Sequence, residues 1–299
     1  MELVNRVVKV VIITFIIGGF VMYFIQESKP KSTIKRPEDF GINKGEVDKY
    51  LRGQSEDVEI EEDIIANREE GLPAYIPQNR RQLLKKSAYY ISYNSSLKIA
   101  EWVSYPLTKE IIRRSNLKRS GLFERDPEVV GGTASTTDYS GTGYVRGHLV
   151  PVADVSYDSS AMNESFLMSN IAPMKPQFND GIWMELEETI RDWAYAYKEI
   201  YVTTGPVLTR GEVVPIGKSK IAAPAYFFKA IWVNDAVRPK SIGFMMPNEN
   251  ERKPLREYVV TINELETITG IDFFPSVAEN GVEEEIENQL YISDWRWRN

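Results

Sequence analysis

Residues 10–25 run VVIITFIIGGFVMYFI without a single charge, and no other feature limits so sharply which part of the chain can enter a soluble fold. Val7 and Val8 lengthen the run past Lys9, whose stem can lie along apolar surface while its ammonium reaches water. The total approaches the length that crosses a bilayer as a helix. The next residues, Gln26-Glu27-Ser28-Lys29-Pro30-Lys31, lack the small-residue site at which a signal peptide is cut. The segment reads as an uncleaved signal-anchor, and the expected division is an anchor at 1–26, a polar tether at 27–72 and a globular domain at 73–299. Arg6 and Lys9 on one side compete with Lys29, Lys31, Lys35 and Arg36 on the other, so charge alone does not orient it. A short cytoplasmic stub with the bulk of the chain translocated is the simplest topology, which places the globular domain in the periplasm or outside the cell.

The tether is polar and acidic around Glu56, Asp57, Glu59, Glu61, Glu62 and Asp63, with room for a short helix near residues 58–70. Much of the net charge of -7 sits there and in a second acidic patch at Glu279, Glu283, Glu284, Glu285 and Glu287. The rest of the globular part is slightly basic, so a polyanionic substrate is compatible with the overall acidity. The absence of cysteine excludes disulfides, thiolate zinc sites and thiol nucleophiles.

From residue 73 onward the composition suits a packed core. Residues 89–94, 99–105, 200–204, 225–233 and 241–246 are rich in β-branched and aromatic side chains and read as strands. Trp183, Leu186, Ile190, Ala194 and Tyr197 recur at helical spacing, as do Thr261, Glu264 and Leu265 within 260–268. The expectation is an α+β domain.

His148 is the only histidine in the chain. An imidazole accepts a proton near its ordinary pKa of about 6.5. A solitary histidine is ordinarily a surface or core residue, and here its setting changes the argument: Arg146-Gly147-His148-Leu149-Val150-Pro151, then Asp154. Met162-Asn163-Glu164-Ser165-Phe166-Leu167-Met168-Ser169-Asn170-Ile171-Ala172-Pro173 comes next, then Phe178-Asn179-Asp180-Gly181-Ile182-Trp183 and Leu186-Glu187. This ordered series resembles the DNA/RNA non-specific endonuclease family over roughly residues 73–295. Thr203-Thr204-Gly205-Pro206 and Met246-Pro247-Asn248 fit the same pattern. The resemblance implies a ββα-metal (His-Me finger) nuclease fold, with a central antiparallel sheet flanked by helices. It also implies metal-dependent hydrolysis of DNA and RNA without sequence specificity, leaving 5′-phosphate ends.

Phosphodiester hydrolysis needs a base for water, a cation for the developing charge, and groups that hold the phosphate in line. His148 supplies the base. Asn179 offers a neutral oxygen suited to Mg2+, with Mn2+ or another divalent cation as alternatives, and the resemblance makes it the direct metal ligand. Glu187 lies two helical turns after Asn179 on the inward stripe of its helix, where a carboxylate asks for a partner. By resemblance it belongs to the metal site as an outer residue that orients a bound water. Asn170 either caps a turn before Pro173 or, as the resemblance implies, helps position the histidine and the substrate. Arg146 and Arg119 are guanidinium candidates for the phosphate, with Lys118 or Arg125 as alternatives to Arg119.

Two basic clusters, Arg80, Arg81, Lys85 and Lys86, and Arg113, Arg114, Lys118 and Arg119, are either solvated faces or tracks for a phosphate backbone. Trp295, Arg296, Trp297 and Arg298 either pack on the core or meet substrate. The family usually has aspartate before the Arg-Gly-His string, where this chain has Val145, and glutamine after the later Ala-Pro, where it has Met174. The expected function is a membrane-tethered, Mg-dependent nuclease acting on DNA and RNA. The alternative is a catalytically weak nuclease-like domain that binds nucleic acid or a protein partner at the membrane, with Val145 as its warning sign.

Overall fold

The computed structural model describes residues 71–74, 80–235, 238–250, 253–277 and 286–298. The apolar run at 10–25 and the tether helix near 58–70 lie outside the described residues. Among the described residues no helix is long and apolar enough to cross a membrane.

Among the described residues, eleven strands occur in chain order: β1 (Arg81–Lys85), β2 (Tyr90–Asn94), β3 (Ile99–Thr108), β4 (Val145–His148), β5 (Ile171–Met174), β6 (Glu199–Val207), β7 (Val213–Ile216), β8 (Ile221–Pro224), β9 (Tyr226–Val233), β10 (Lys240–Pro247) and β11 (Val259–Val260). Among the described residues, α1 (Lys109–Arg114), α2 (Val152–Val155), α3 (Ser159–Glu164), α4 (Met184–Tyr197) and α5 (Ile262–Thr269) punctuate them. Seven strands form one sheet in the order β1-β2-β3-β6-β9-β10-β11, every pairing antiparallel. Two small antiparallel pairs, β4-β5 and β7-β8, stand apart from it. The expected α+β class with a central antiparallel sheet is the observed one.

Strand β9 shows why both faces of this sheet are covered. In Tyr-Phe-Phe-Lys-Ala-Ile-Trp-Val, Phe227, Ile231 and Val233 enter one apolar core while Phe228, Ala230 and Trp232 enter the other. Successive side chains of a strand point to opposite faces, so a run this apolar must be buried twice. Trp183 and the helix α4 residues Leu186, Ile190 and Trp193 fill the first core; Ile262 and Leu265 of α5, with Phe273 and Phe274, fill the second. Helix α5 begins at a capping box, in which Thr261 Oγ1 accepts from the Glu264 amide at 3.1 Å and Glu264 Oε2 accepts from the Thr261 amide at 2.8 Å. It ends at Gly270 in the left-handed conformation.

The carboxy-terminal aromatics pack on the core. Trp295 lies 4.5 Å from Trp193 between ring centroids and Trp297 lies 5.4 Å away, while Trp193 Nε1 donates to the Arg296 carbonyl at 2.5 Å. Arg298 pairs with Glu188 and, at 2.9 Å, with Asp192. These four residues are therefore a clasp on α4.

Candidate active site

His148 is the last residue of β4, a strand and not the turn that its glycine and proline neighbours suggest. Strand β4 is short and has one partner. Its four residues pair with β5 in the register Val145↔Met174, Arg146↔Pro173, Gly147↔Ala172 and His148↔Ile171. Between the two strands the chain runs through α2 and α3, and β5 leads into α4, so the sequence of elements is strand, strand, helix around the imidazole.

Asn170 fixes the backbone immediately behind His148. Its Oδ1 accepts from the Val150 amide at 2.9 Å, and its Nδ2 donates to the carbonyls of Val150 at 3.1 Å and Ser165 at 2.9 Å. The Leu149 amide completes the clamp, donating to the Asn170 carbonyl at 3.0 Å. With the side chain buried and both amide hydrogens bound, Asn170 holds the peptide that carries the histidine and has no amide hydrogen left for a substrate. Its hydrogen bonds hold the backbone that follows the histidine.

Two aromatic rings wall the imidazole. Phe166 meets it edge-on with centroids 5.1 Å apart, and Phe123 is tilted against it at 5.4 Å. Each ring also carries an arginine. The Arg146 guanidinium lies 4.6 Å over Phe123, and that of Arg119 lies 5.7 Å from the Phe166 centroid. Of the candidates for the upstream cation, Arg119 is the one set against a wall of the site. The imidazole Nε2 is buried and has no hydrogen-bond partner. Burial, and secondarily the Arg119 charge, push the His148 pKa down to about 3.

Gly147 supplies the space that brings the next candidate in. A Cβ at this position would stand 2.3 Å from the Met174 sulfur and 3.0 Å from Asn179 Oδ1, so only glycine lets the carboxamide oxygen approach the strand beside His148. Asn179 Nδ2 donates to Asp180 at 2.7 Å, which leaves Oδ1 as the oxygen on offer. Asn179 lies in a wide turn, Phe178–Trp183, that breaks at Gly181 (φ -115°, ψ -110°), so it and Glu187 are not on one continuous helix as expected.

Glu187 occupies the layer between α4 and the sheet. Its carboxylate is 3.9 Å from the ammonium of Lys229, a fully buried residue of β9 whose Nζ also lies 4.2 Å over the Trp183 ring. Burial pushes the Glu187 carboxyl up to about 7, with Lys229 opposing the rise, and pushes the Lys229 ammonium down. The Trp183 ring lies 5.3 Å from Phe178, which adjoins Asn179, so this charge pair abuts the turn that presents the carboxamide. Asp154, six residues after the histidine, is buried and accepts from Tyr105 at 2.9 Å and Arg191 at 3.0 Å, which ties α2 to β3 and α4.

The donor set fits a hard, oxygen-preferring cation. Among the described residues no three carboxylates or histidines converge as a cage, so an ion held here would rest on the Asn179 oxygen and on water. The first basic cluster has other work. Lys86 is buried in pairs with Asp126 and Glu128, each at 2.9 Å, and Arg81 pairs with Glu101 at 2.7 Å. Arg113 and Arg114 close the last turn of α1, where cations suit the helix dipole. Phe123, Phe166 and Lys229 are the participants that sequence reasoning missed. An aromatic four residues after Arg119 was the available signal for Phe123, and nothing local marked Lys229.

A profile of the DNA/RNA non-specific endonuclease family matches residues 72–280. Mitochondrial endonuclease G of Homo sapiens is 32% identical over 209 residues, covering 66% of this chain and 70% of that protein. A nuclease of Nostoc sp. is 31% identical over 221 residues, covering 69% and 79%. Among solved structures, the EndoG/EndoGI complex superposes with a TM-score of 0.58 at 27% identity, covering 66% of this chain and 86% of that one. The histidine strand, its glycine and the asparagine turn thus sit inside the matched region, and the chain belongs to the DNA/RNA non-specific endonuclease family and is a nuclease.

Proposed function

We infer that the chain is a divalent-cation-dependent, sequence-nonspecific endonuclease for DNA and RNA, with His148 as general base. The observation that carries this reading is the unpartnered Nε2 of a neutral imidazole, set between two arginine-bearing rings and one residue from the glycine that admits the Asn179 oxygen. Neutral His148 takes a proton from water, and the oxygen so activated attacks phosphorus in line with the departing 3′-oxygen. That cleavage leaves a 5′-phosphate. Arg146 and Arg119 hold the non-bridging oxygens, and the phosphate charge between them raises the proton affinity of the imidazole when the transfer occurs. Mg2+ on the Asn179 oxygen, with Glu187 outside it, would supply charge neutralisation for the leaving oxygen. The apolar run at 10–25 supports attachment to a membrane, with the nuclease unit on the periplasmic or extracellular side.

The full chain, incubated with plasmid DNA and with RNA, is expected to cut both in Mg2+ or Mn2+ and neither in EDTA. A folded chain that leaves both polymers intact with every divalent ion overturns the reading.

Acid should act on this base late. A free imidazole is half protonated at about pH 6.5, whereas His148 stays neutral down to about pH 3. The acid limb of kcat/KM attributable to the base is therefore expected well below 6.5, and a limb centred above 6 would show that burial does not depress this imidazole. Stability falls with acid through the same group: between pH 6.5 and 3 the unfolded imidazole binds the proton and the folded one does not. Its contribution to stability is present above that window and is lost as pH falls through it.

A further inference from the structure

We propose that Lys175, seated on Tyr144, is a second phosphate-binding point, one nucleotide along the strand from the phosphate that is cut; this rests on the nuclease reading of the histidine site. Lys175 Nζ lies 4.0 Å over the Tyr144 ring, one step beyond the last register pair of β4 and β5. Arg146 comes two residues later on β4, and His148 two residues after that. Arg146 and His148 both meet Phe123, and Tyr144 and Phe123 pack against the same small apolar cluster. The three positions therefore share one side of the strand.

A two-residue step along a strand is about 6.4–6.8 Å, the same order as the spacing of successive phosphates in an extended nucleic-acid strand. Lys175 and Arg146 are held over rings, as are Lys85, Lys109, Lys240 and Arg256 on other elements of the fold; what sets the two apart is their place beside His148 on the paired strands. Lys86, Arg81, Arg191 and Arg298 are neutralised by carboxylates. Among the described residues, Lys175 and Arg146 have no ion pair and are held by rings. A ring orients a cation without cancelling its charge, which remains available to a phosphate. Repeating that arrangement at one strand step gives the site two grips on one polyanion, independent of base sequence.

The test uses the full chain in two assays. In the first, His148→Ala provides a non-cleaving background, and a fluorescently labelled single-stranded oligonucleotide is titrated by anisotropy at increasing salt. Adding Lys175→Ala is expected to lower the slope of log K against log salt by about one unit, and Tyr144→Leu, which removes the ring, to lower it in the same sense. Lys175→Arg should restore the slope. In the second, the active chain is compared on the oligonucleotide and on a dinucleoside monophosphate, which has no neighbouring phosphate. Lys175→Ala should raise KM for the oligonucleotide about tenfold more than for the dinucleoside monophosphate. An unchanged salt slope, or an equal loss on both substrates, overturns the proposal. Absence of cleavage by the parent chain would instead count against the nuclease mechanism, and the binding assay would still decide the role of Lys175.

Discussion

His148→Ala is expected to reduce cleavage of DNA and RNA by roughly 10²- to 10⁴-fold, the range that a positioned general base contributes. No second histidine exists to take over. The truncation removes a half-buried ring from between Phe123 and Phe166 but leaves the Asn170 clamp on Leu149 and Val150 in place. The strand should therefore survive, which circular dichroism and retained binding of nucleic acid would establish. Addition of free imidazole is expected to restore part of the rate, since it supplies the missing base to the vacated space. A folded variant that keeps activity within about tenfold of the parent would show that another group activates the water.

The second large effect belongs to Asn179→Ala. Several kcal/mol of charge stabilisation, on the order of 10²-fold or more in rate, is expected to go with the carboxamide oxygen. Its structural cost should be small, because the side chain's hydrogen bond is to exposed Asp180. The discriminating measurement is the dependence of rate on Mg2+ concentration, together with direct titration of Mn2+ binding in the absence of substrate. A marked loss of ion affinity is the expected result. A variant with unchanged ion dependence and slow turnover would move Asn179 from the metal to the substrate.

Much of the frame was legible from local pattern. The five expected strands correspond to β2, β3, β6, β9 and β10, and the spacing of Trp183, Leu186 and Ile190 marks the face that α4 buries. These elements lie in the middle of the sheet or directly on it, where burial on a face imposes a period that survives in the sequence. Strands β4 and β5 are the opposite case. Four residues each, interrupted by Gly147 and Pro173, they leave no alternation to read, although they carry the histidine. The site was legible only through the ordered motif series, and the fates of individual cations were not. Lys86 finds Asp126 forty residues away, and Phe123 and Phe166 meet His148 from both sides in sequence. Pairings of that kind depend on tertiary approach.

The two departures from the expected family pattern meet in space. Val145 and Met174 are direct partners across the β4-β5 ladder. Met174 is fully buried and Val145 packs against the same core, whereas Arg146 and His148 turn toward Phe123. Two apolar side chains facing each other at these places leave no polar group in need of a partner. The valine therefore lies on the side of the strand away from the imidazole.

The clasp on Trp193 has a consequence for the timing of synthesis. The residues assigned to the chemistry, from Arg119 to Glu187, leave the ribosome about a hundred positions before Trp295 and Trp297 arrive to cover that ring. At roughly 5–20 residues per second the interval is several seconds or more. Throughout it the nascent chain carries every reactive group of a nuclease but lacks the completed hydrophobic layer on which α4 rests. Nuclease activity should therefore emerge late, once the segment carrying Trp295 and Trp297 closes over the helix.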